Sequence, residues 1–172
     1  DKFSKIKLNK NSIPIPLKNE KQLNDLVNSL ITSKDLNPTF KKEFLSQGAQ
    51  PAKLYGLPKI HKDGIPMRPV LSMINTAQYN VAKTLERLLK SLINNPLECK
   101  DSFEFVNKFL NHKIKTNEEV MVSFDIVSFF TNIPLNETID LCTKLWDELV
   151  ENKVSSMSSK AMKALLEFST KN

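Results

Sequence analysis

Two short stretches carry side chains suited to phosphate and metal chemistry. The first is Tyr55 to Ser72, YGLPKIHKDGIPMRPVLS, in which Lys59 and Arg68 flank Asp63-Gly64. An Asp-Gly dipeptide between apolar residues marks a tight hairpin. A two-residue turn at that point sets Lys62 opposite Ile65, His61 opposite Pro66, Ile60 opposite Met67 and Lys59 opposite Arg68. Like charges directly opposed on one face of a ribbon repel, so a chain that keeps such a pair has an anion for it to hold. The second stretch is Val120 to Pro134, VMVSFDIVSFFTNIP. Hard divalent cations take oxygen ligands, commonly one or two carboxylates plus the phosphates of a substrate. Asp125, with the main-chain oxygen of Ile126 beside it, has donors for a magnesium ion. The plainer reading is an aspartate that ends a strand or caps a turn. Together, a cationic pair and a metal-binding carboxylate are the two halves of a triphosphate site: the cations neutralise phosphate oxygens while the metal bridges them.

Periodicity indicates the secondary structure on which these residues sit. Residues 119–125 alternate, with Val120, Val122 and Phe124 on one face and Met121, Ser123 and Asp125 on the other, which is a strand pattern. The hairpin occupies about 53–73. Pro58, Pro66 and Pro69 lack N–H donors, so the ribbon is an exposed edge and not a central pair. Helical spacing predicts amphipathic helices over 20–33 (Leu23, Leu26, Val27, Leu30, Ile31) and 76–94 (Val81, Leu85, Leu88, Leu89, Leu92). Asn37-Pro38 can cap and start a short helix through Leu45, and Asp101 with Glu104 resembles a capping box before Phe105, Val106, Phe109 and Leu110. Further helices are expected at about 136–152, with Trp146 in the core, and at 159–168, capped by Ser158. The first 18 residues, with Pro14 and Pro16, read as an irregular arm. The resulting class is α+β with helices in the majority.

Composition sets the frame. The chain has 172 residues, 40% hydrophobic and 26% charged, which is ordinary for a globular protein with a core of its own. No apolar run approaches the ~20 residues of a membrane span, and Asp1-Lys2-Phe3-Ser4 does not open a signal peptide. Cys99 and Cys142 lie far apart without metal spacing and read as plain thiols of a reduced intracellular protein. The charge is uneven. Residues 1–100 hold 17 Lys and Arg against 8 Asp and Glu, a net of +9, whereas 101–172 hold 8 against 11, a net of −3. A basic front half suits a polyanionic partner, nucleic acid above all. A lysine-rich solvated surface is the alternative.

The phrases YGLPKIHKDGIPMRPVLS and FDIVSFFTNIP together resemble the fingers and first palm motif of a reverse transcriptase. The closer likeness is to the Penelope-like retroelements, whose version carries YGLPKIHK, RP and FD-x-x-S-x-FTN-x-P. The resemblance runs from about Lys53 to the end of the chain, so 1–50 stands as an N-terminal arm with helices and 51–172 as a partial reverse transcriptase domain within a right-hand polymerase. It implies that Lys59 and Arg68 grip the phosphates of an incoming deoxynucleoside triphosphate. Asp125 would be the first catalytic metal ligand for Mg2+, with Ile126 contributing its carbonyl. Phe130 matches the aromatic steric gate that clashes with a ribose 2′-hydroxyl, with Phe129 as a core neighbour. The implied partners are an RNA template and a DNA primer, and the implied setting is the nucleus, as for retroelement proteins. His61 reads as a hairpin residue near template or solvent, and Tyr79, Asn80 and Lys83 as template contacts or as plain helix surface.

Such a palm also needs a tyrosine-x-Asp-Asp hairpin to complete a two-metal site. This chain has no Asp-Asp pair, Tyr55 and Tyr79 both precede Asp125, and its three glycines lie before residue 65. The expectation is therefore an N-terminal piece that does not polymerise by itself. The rivals are a non-catalytic basic nucleic-acid-binding module and a dead retroelement remnant.

Overall fold

The structure, a computed structural model, describes residues 13–90, 98–112, 120–127, 129–151 and 157–171, the side chains of 130, 131 and 149–151 excepted. It divides into two compact units, one built from residues 1–92 and 136–172 and the other from 93–135.

The larger unit holds the core. Helix α1 (Ile15–Thr32) buries Leu23, Val27 and Leu30 along one stripe. It begins earlier than the irregular arm expected for residues 1–18 allows. Pro14 is its N-cap and Pro16 sits in its first turn, where a missing N–H costs no helical bond. The helix ends in a Schellman arrangement. Lys34, at φ +63°, donates its N–H to the Ile31 carbonyl at 3.1 Å, and Asp35 donates to that of Leu30 at 2.9 Å.

Asn37 caps a 3₁₀ turn (Pro38–Phe40) by accepting from the Thr39 N–H at 2.9 Å. The turn leads into α2 (Lys41–Phe44), whose Phe44 is fully buried. Helix α3 (Ala77–Lys90) buries Ala77, Val81 and Leu85 and is the common partner of α1, α2 and the last helix. The expected residues 91–94 of this helix lie outside the described residues. Helices α4 (Ser102–Asn111) and α5 (Phe129–Asn132) belong to the smaller unit; α6 (Leu135–Glu151) and α7 (Ser159–Lys171) close the larger unit. Helix α7 brings Ala161, Met162, Leu165, Leu166 and Phe168 into the core against α3. The buried Trp146 of α6 donates its indole N–H to the Met157 carbonyl at 3.1 Å, satisfying its one polar atom.

A clamp at Asp35 ties the front of the chain to its last helix. The Asp35 carboxylate accepts from Ser33 Oγ at 2.6 Å, Lys160 Nζ at 2.9 Å and Ser158 Oγ at 3.0 Å, while its carbonyl accepts the Ser158 N–H at 2.7 Å. Ser158 in turn caps α7 by accepting the Ala161 N–H at 3.1 Å. Buried Leu36 and Met157 form an antiparallel bridge alongside. The hydroxyl of Ser33, then Lys160 and Ser158, hold the Asp35 carboxyl down at a pKa of about 2.

In the smaller unit, α4 (Ser102–Asn111) is capped by Asp101, which accepts the Glu104 N–H at 2.8 Å, and Glu104 accepts the Lys100 N–H at 2.9 Å. That backbone donor, followed by Lys108, keeps the Glu104 carboxyl below its ordinary value. Phe105 and Phe109 stack at 6.2 Å, yet both stay about half exposed. No described residue of this unit is buried.

The strand expected over 119–125 does not form: residues 120–126 have no regular structure, and Glu119 lies outside the described residues. A strand needs a neighbour for its N–H and C=O groups, and the one sheet among the described residues is the two-stranded hairpin of the larger unit. Helix α5 (Phe129–Asn132) is a single turn, closed by Asn132 Nδ2 donating to the Val127 carbonyl at 3.0 Å. The class is mixed α+β, and no described helix is long and apolar enough to cross a membrane.

Candidate phosphate-gripping hairpin

Strands β1 (Lys53–Pro58) and β2 (Met67–Ser72) form an antiparallel ribbon. Its register differs from the one a two-residue Asp-Gly turn would set. Arg68 stands opposite Leu57, Met67 opposite Pro58, and the Lys59 N–H continues the ladder to the Pro66 carbonyl at 3.0 Å. The connection is an eight-residue loop, 59–66, made of two turns in tandem: Lys62 N–H to Lys59 C=O and Ile65 N–H to Lys62 C=O, each at 3.0 Å.

Proline explains the shift. Pro66 has no N–H to return to Lys59, so the Lys59 carbonyl takes the Lys62 N–H instead. Within the turn Gly64 has φ +71° while Asp63 does not adopt positive φ. A tight two-residue hairpin of the Asn-Gly or Asp-Gly kind needs positive φ at both positions. Ile65, at φ +42°, takes the left-handed region instead, a costly conformation for a β-branched residue. Pro58 and Pro69 fall at pairs adjacent to the hydrogen-bonded Lys59–Pro66 and Leu57–Arg68 pairs. Their missing donors would point outward, which a two-stranded ribbon tolerates.

The change of register is by two residues, so it preserves the faces. Lys53, Tyr55, Leu57 and Lys59 share one face with Arg68 and Val70; Leu54, Pro58, Met67 and Leu71 share the other, which carries no charge. Lys59 and Arg68 are therefore diagonal neighbours, roughly 7–8 Å apart at the backbone, and not directly opposed. Their mutual repulsion is correspondingly milder, and the repulsion by itself no longer requires an anion. Two cations on one face at that spacing still suit two oxygens of one polyphosphate. Arg68 is exposed and Lys59 half-buried, and neither side chain bonds to another side chain among the described residues. His61 is exposed in the loop.

Asp125, Ile126 and Phe130 belong to the other unit. Asp125 is exposed in the irregular segment and Ile126 follows it, 61% exposed. The backbone of Phe130 lies in α5, and its side chain, with the gate role expected of it, lies outside the described residues. Among the described residues no group of three His, Cys, Asp or Glu side chains gathers to hold a metal. One carboxylate and one carbonyl are a partial donor set for a single hard cation, with phosphate oxygens needed for the rest.

Residues 46–50 and the start of α3 form a second feature, a small polar cleft lined in part by Tyr79 and Asn80. Of its lining only those two stood out in the sequence. Gly48 and Asn75, the residue types that accept left-handed backbone, were the available sign of its turns. No family model, curated protein or solved structure matches this chain.

Proposed function

We propose that this chain is the fingers and first palm motif of an RNA-directed DNA polymerase of the Penelope-like kind. In that reading Lys59 and Arg68 bind the phosphates of a deoxynucleoside triphosphate. Asp125 and the carbonyl of Ile126 contribute ligands for Mg2+, and Phe130 bars the ribose 2′-hydroxyl. The ion, when bound, lowers the charge on the phosphate that a primer 3′-hydroxyl attacks on an RNA template. The chain's own residues grip and orient: Arg68 can meet two phosphate oxygens at once, and Lys59 adds a point charge. Completion of a two-metal site requires carboxylates beyond Asp125.

The observation that carries the reading is the hairpin: the YGLPKIHK and RP phrases sit on an exposed ribbon on which Lys59 and Arg68, neither paired with a carboxylate among the described residues, share a face. The test is binding of a fluorescent deoxynucleoside triphosphate with Mg2+, beside binding of an RNA–DNA duplex. Lys59→Ala and Arg68→Ala should each weaken triphosphate binding by roughly tenfold or more, the scale of a lost charge-assisted hydrogen bond. Duplex affinity should change much less.

Equal loss of both would favour a basic nucleic-acid-binding module, a reading supported by the net +9 of residues 1–100. That module would show strong salt dependence and no role for Asp125 or Phe130.

A further inference from the structure

The polar cleft of the larger unit has a volume of about 230 Å3, and its side chains are amides and hydroxyls: Ser46, Gln47, Gln50, Asn75, Tyr79 and Asn80. No charged residue lines it. Its walls are fixed by bonds from elsewhere in the fold. The Asn24 carboxamide on α1 accepts the Ser46 N–H at 3.1 Å and donates to the Ser46 carbonyl at 2.9 Å. The Glu20 carboxylate accepts the Ala49 N–H at 2.6 Å, and the Gln50 N–H donates to the Asn75 carbonyl at 2.8 Å, joining the two walls. Gly48 at φ +73° and Asn75 at φ +64° turn the chain around it. By contrast, the side chains of Gln47, Tyr79 and Asn80 bond to nothing among the described residues. The framework is committed and the recognition groups are not.

We propose that this cleft receives one unpaired base of a single-stranded nucleic acid, with adenine preferred. A neutral lining selects a neutral, planar, hydrogen-bonding group. The volume lies below the roughly 300–1,000 Å3 of sites for drug-sized ligands, so it suits a single ring system. An Asn or Gln amide matches adenine by accepting from N6 and donating to N7, and the Tyr79 ring supplies a stacking face. Lys83 is exposed on α3, three residues from Asn80 and four from Tyr79, so it flanks the same helix face and can meet a phosphate on the sugar that carries the base. The proposal rests on the reading of this chain as one that handles nucleic acid. A polymerase copies every base, so a base-selective cleft lies outside nucleotide addition and anchors a preferred strand.

The experiment is fluorescence anisotropy of the chain with labelled oligoadenylate and oligouridylate at one salt concentration, with free adenosine as a competitor. Oligoadenylate should bind roughly five- to a hundredfold more tightly, the range of one good amide–base pair. Asn80→Ala and Gln47→Ala, at exposed positions outside the core, should each reduce that ratio without changing the salt slope or the melting temperature. Equal affinity for the two oligomers, or a ratio unchanged in both variants, overturns the cleft and leaves nucleic-acid binding standing. Binding of free adenosine, read by calorimetry, with no binding of either oligomer overturns the strand assignment. Binding of neither oligomer nor adenosine overturns it entirely. The polymerase reading is judged separately, by triphosphate binding.

Discussion

Helices α3 and α4 carry similar amphipathic patterns and meet opposite environments. In α3 the stripe of Ala77, Val81 and Leu85 is at most 2% exposed, because α1, α2 and α7 converge on it. In α4 the corresponding stripe is open, with Val106 at 48%, Phe109 at 51% and Leu110 at 73% exposed. The segment after it is more open still, with Met121 at 77% and Phe124 at 90%. Good capping and periodicity make α4 a helix, since those are local matters. They do not bury it, since burial needs a facing surface, and no described residue of that unit is buried.

The largest expected effect tests that contrast directly. Leu165→Ala, at a fully buried position on α7, should lower unfolding stability by about 2–5 kcal/mol, whereas Phe109→Ala should change it by no more than about 0.5 kcal/mol. Urea unfolding of the two variants reads both, and a comparable loss at Phe109 would break the comparison by revealing a core in the smaller unit.

The next effect concerns how the larger unit is held together. The folded-state pKa of Asp35 is lowered from 3.8 to about 2, so its stabilisation is full above the unfolded value and is lost as pH falls through the folded one. Asp35→Asn should therefore lower the urea midpoint at neutral pH, and the gap from the parent chain should narrow between pH 4 and pH 2. A gap that persists below pH 2 would show that the hydrogen bonds, and not the charge, do the holding.

The smallest effect is at the end of α1. Lys34 takes left-handed backbone at φ +63°. Glycine there relieves a cost of roughly 1–2 kcal/mol, offset by about 0.4–1 kcal/mol from the freer unfolded chain. Lys34→Gly should thus raise stability by up to about 1.6 kcal/mol, read as a rise in the urea midpoint. A fall would mean that the Lys34 side chain makes a contribution larger than the strain.

The features legible in the residues alone are local ones. The helix expected at 159–168 and observed as Ser159–Lys171 behind its Ser158 cap, the Asp101 cap, the proline-bearing edge ribbon and the mixed α+β class all follow from side-chain periodicity, capping chemistry and missing N–H donors. Such effects act over a turn or two of chain, so they can be read without knowing the fold. Proline also misled: Pro14 and Pro16 read as an irregular arm but open α1, because both uses of proline satisfy the same fixed φ.

The remaining features depend on how distant segments pack. The diagonal placement of Lys59 and Arg68 depended on where Pro66 fell in the ladder, which a dipeptide turn signal does not encode. Residues 119–125 have an alternating pattern, yet the described part of it, from Val120 on, forms no strand, because a strand is a property of two segments and the one sheet among the described residues is the hairpin. Asp35 and Lys160 are 125 positions apart in the chain, and no local pattern marks either. Their meeting follows from the packing of α7 onto α3, where burial of many apolar side chains at once sets which distant polar groups come within bonding reach.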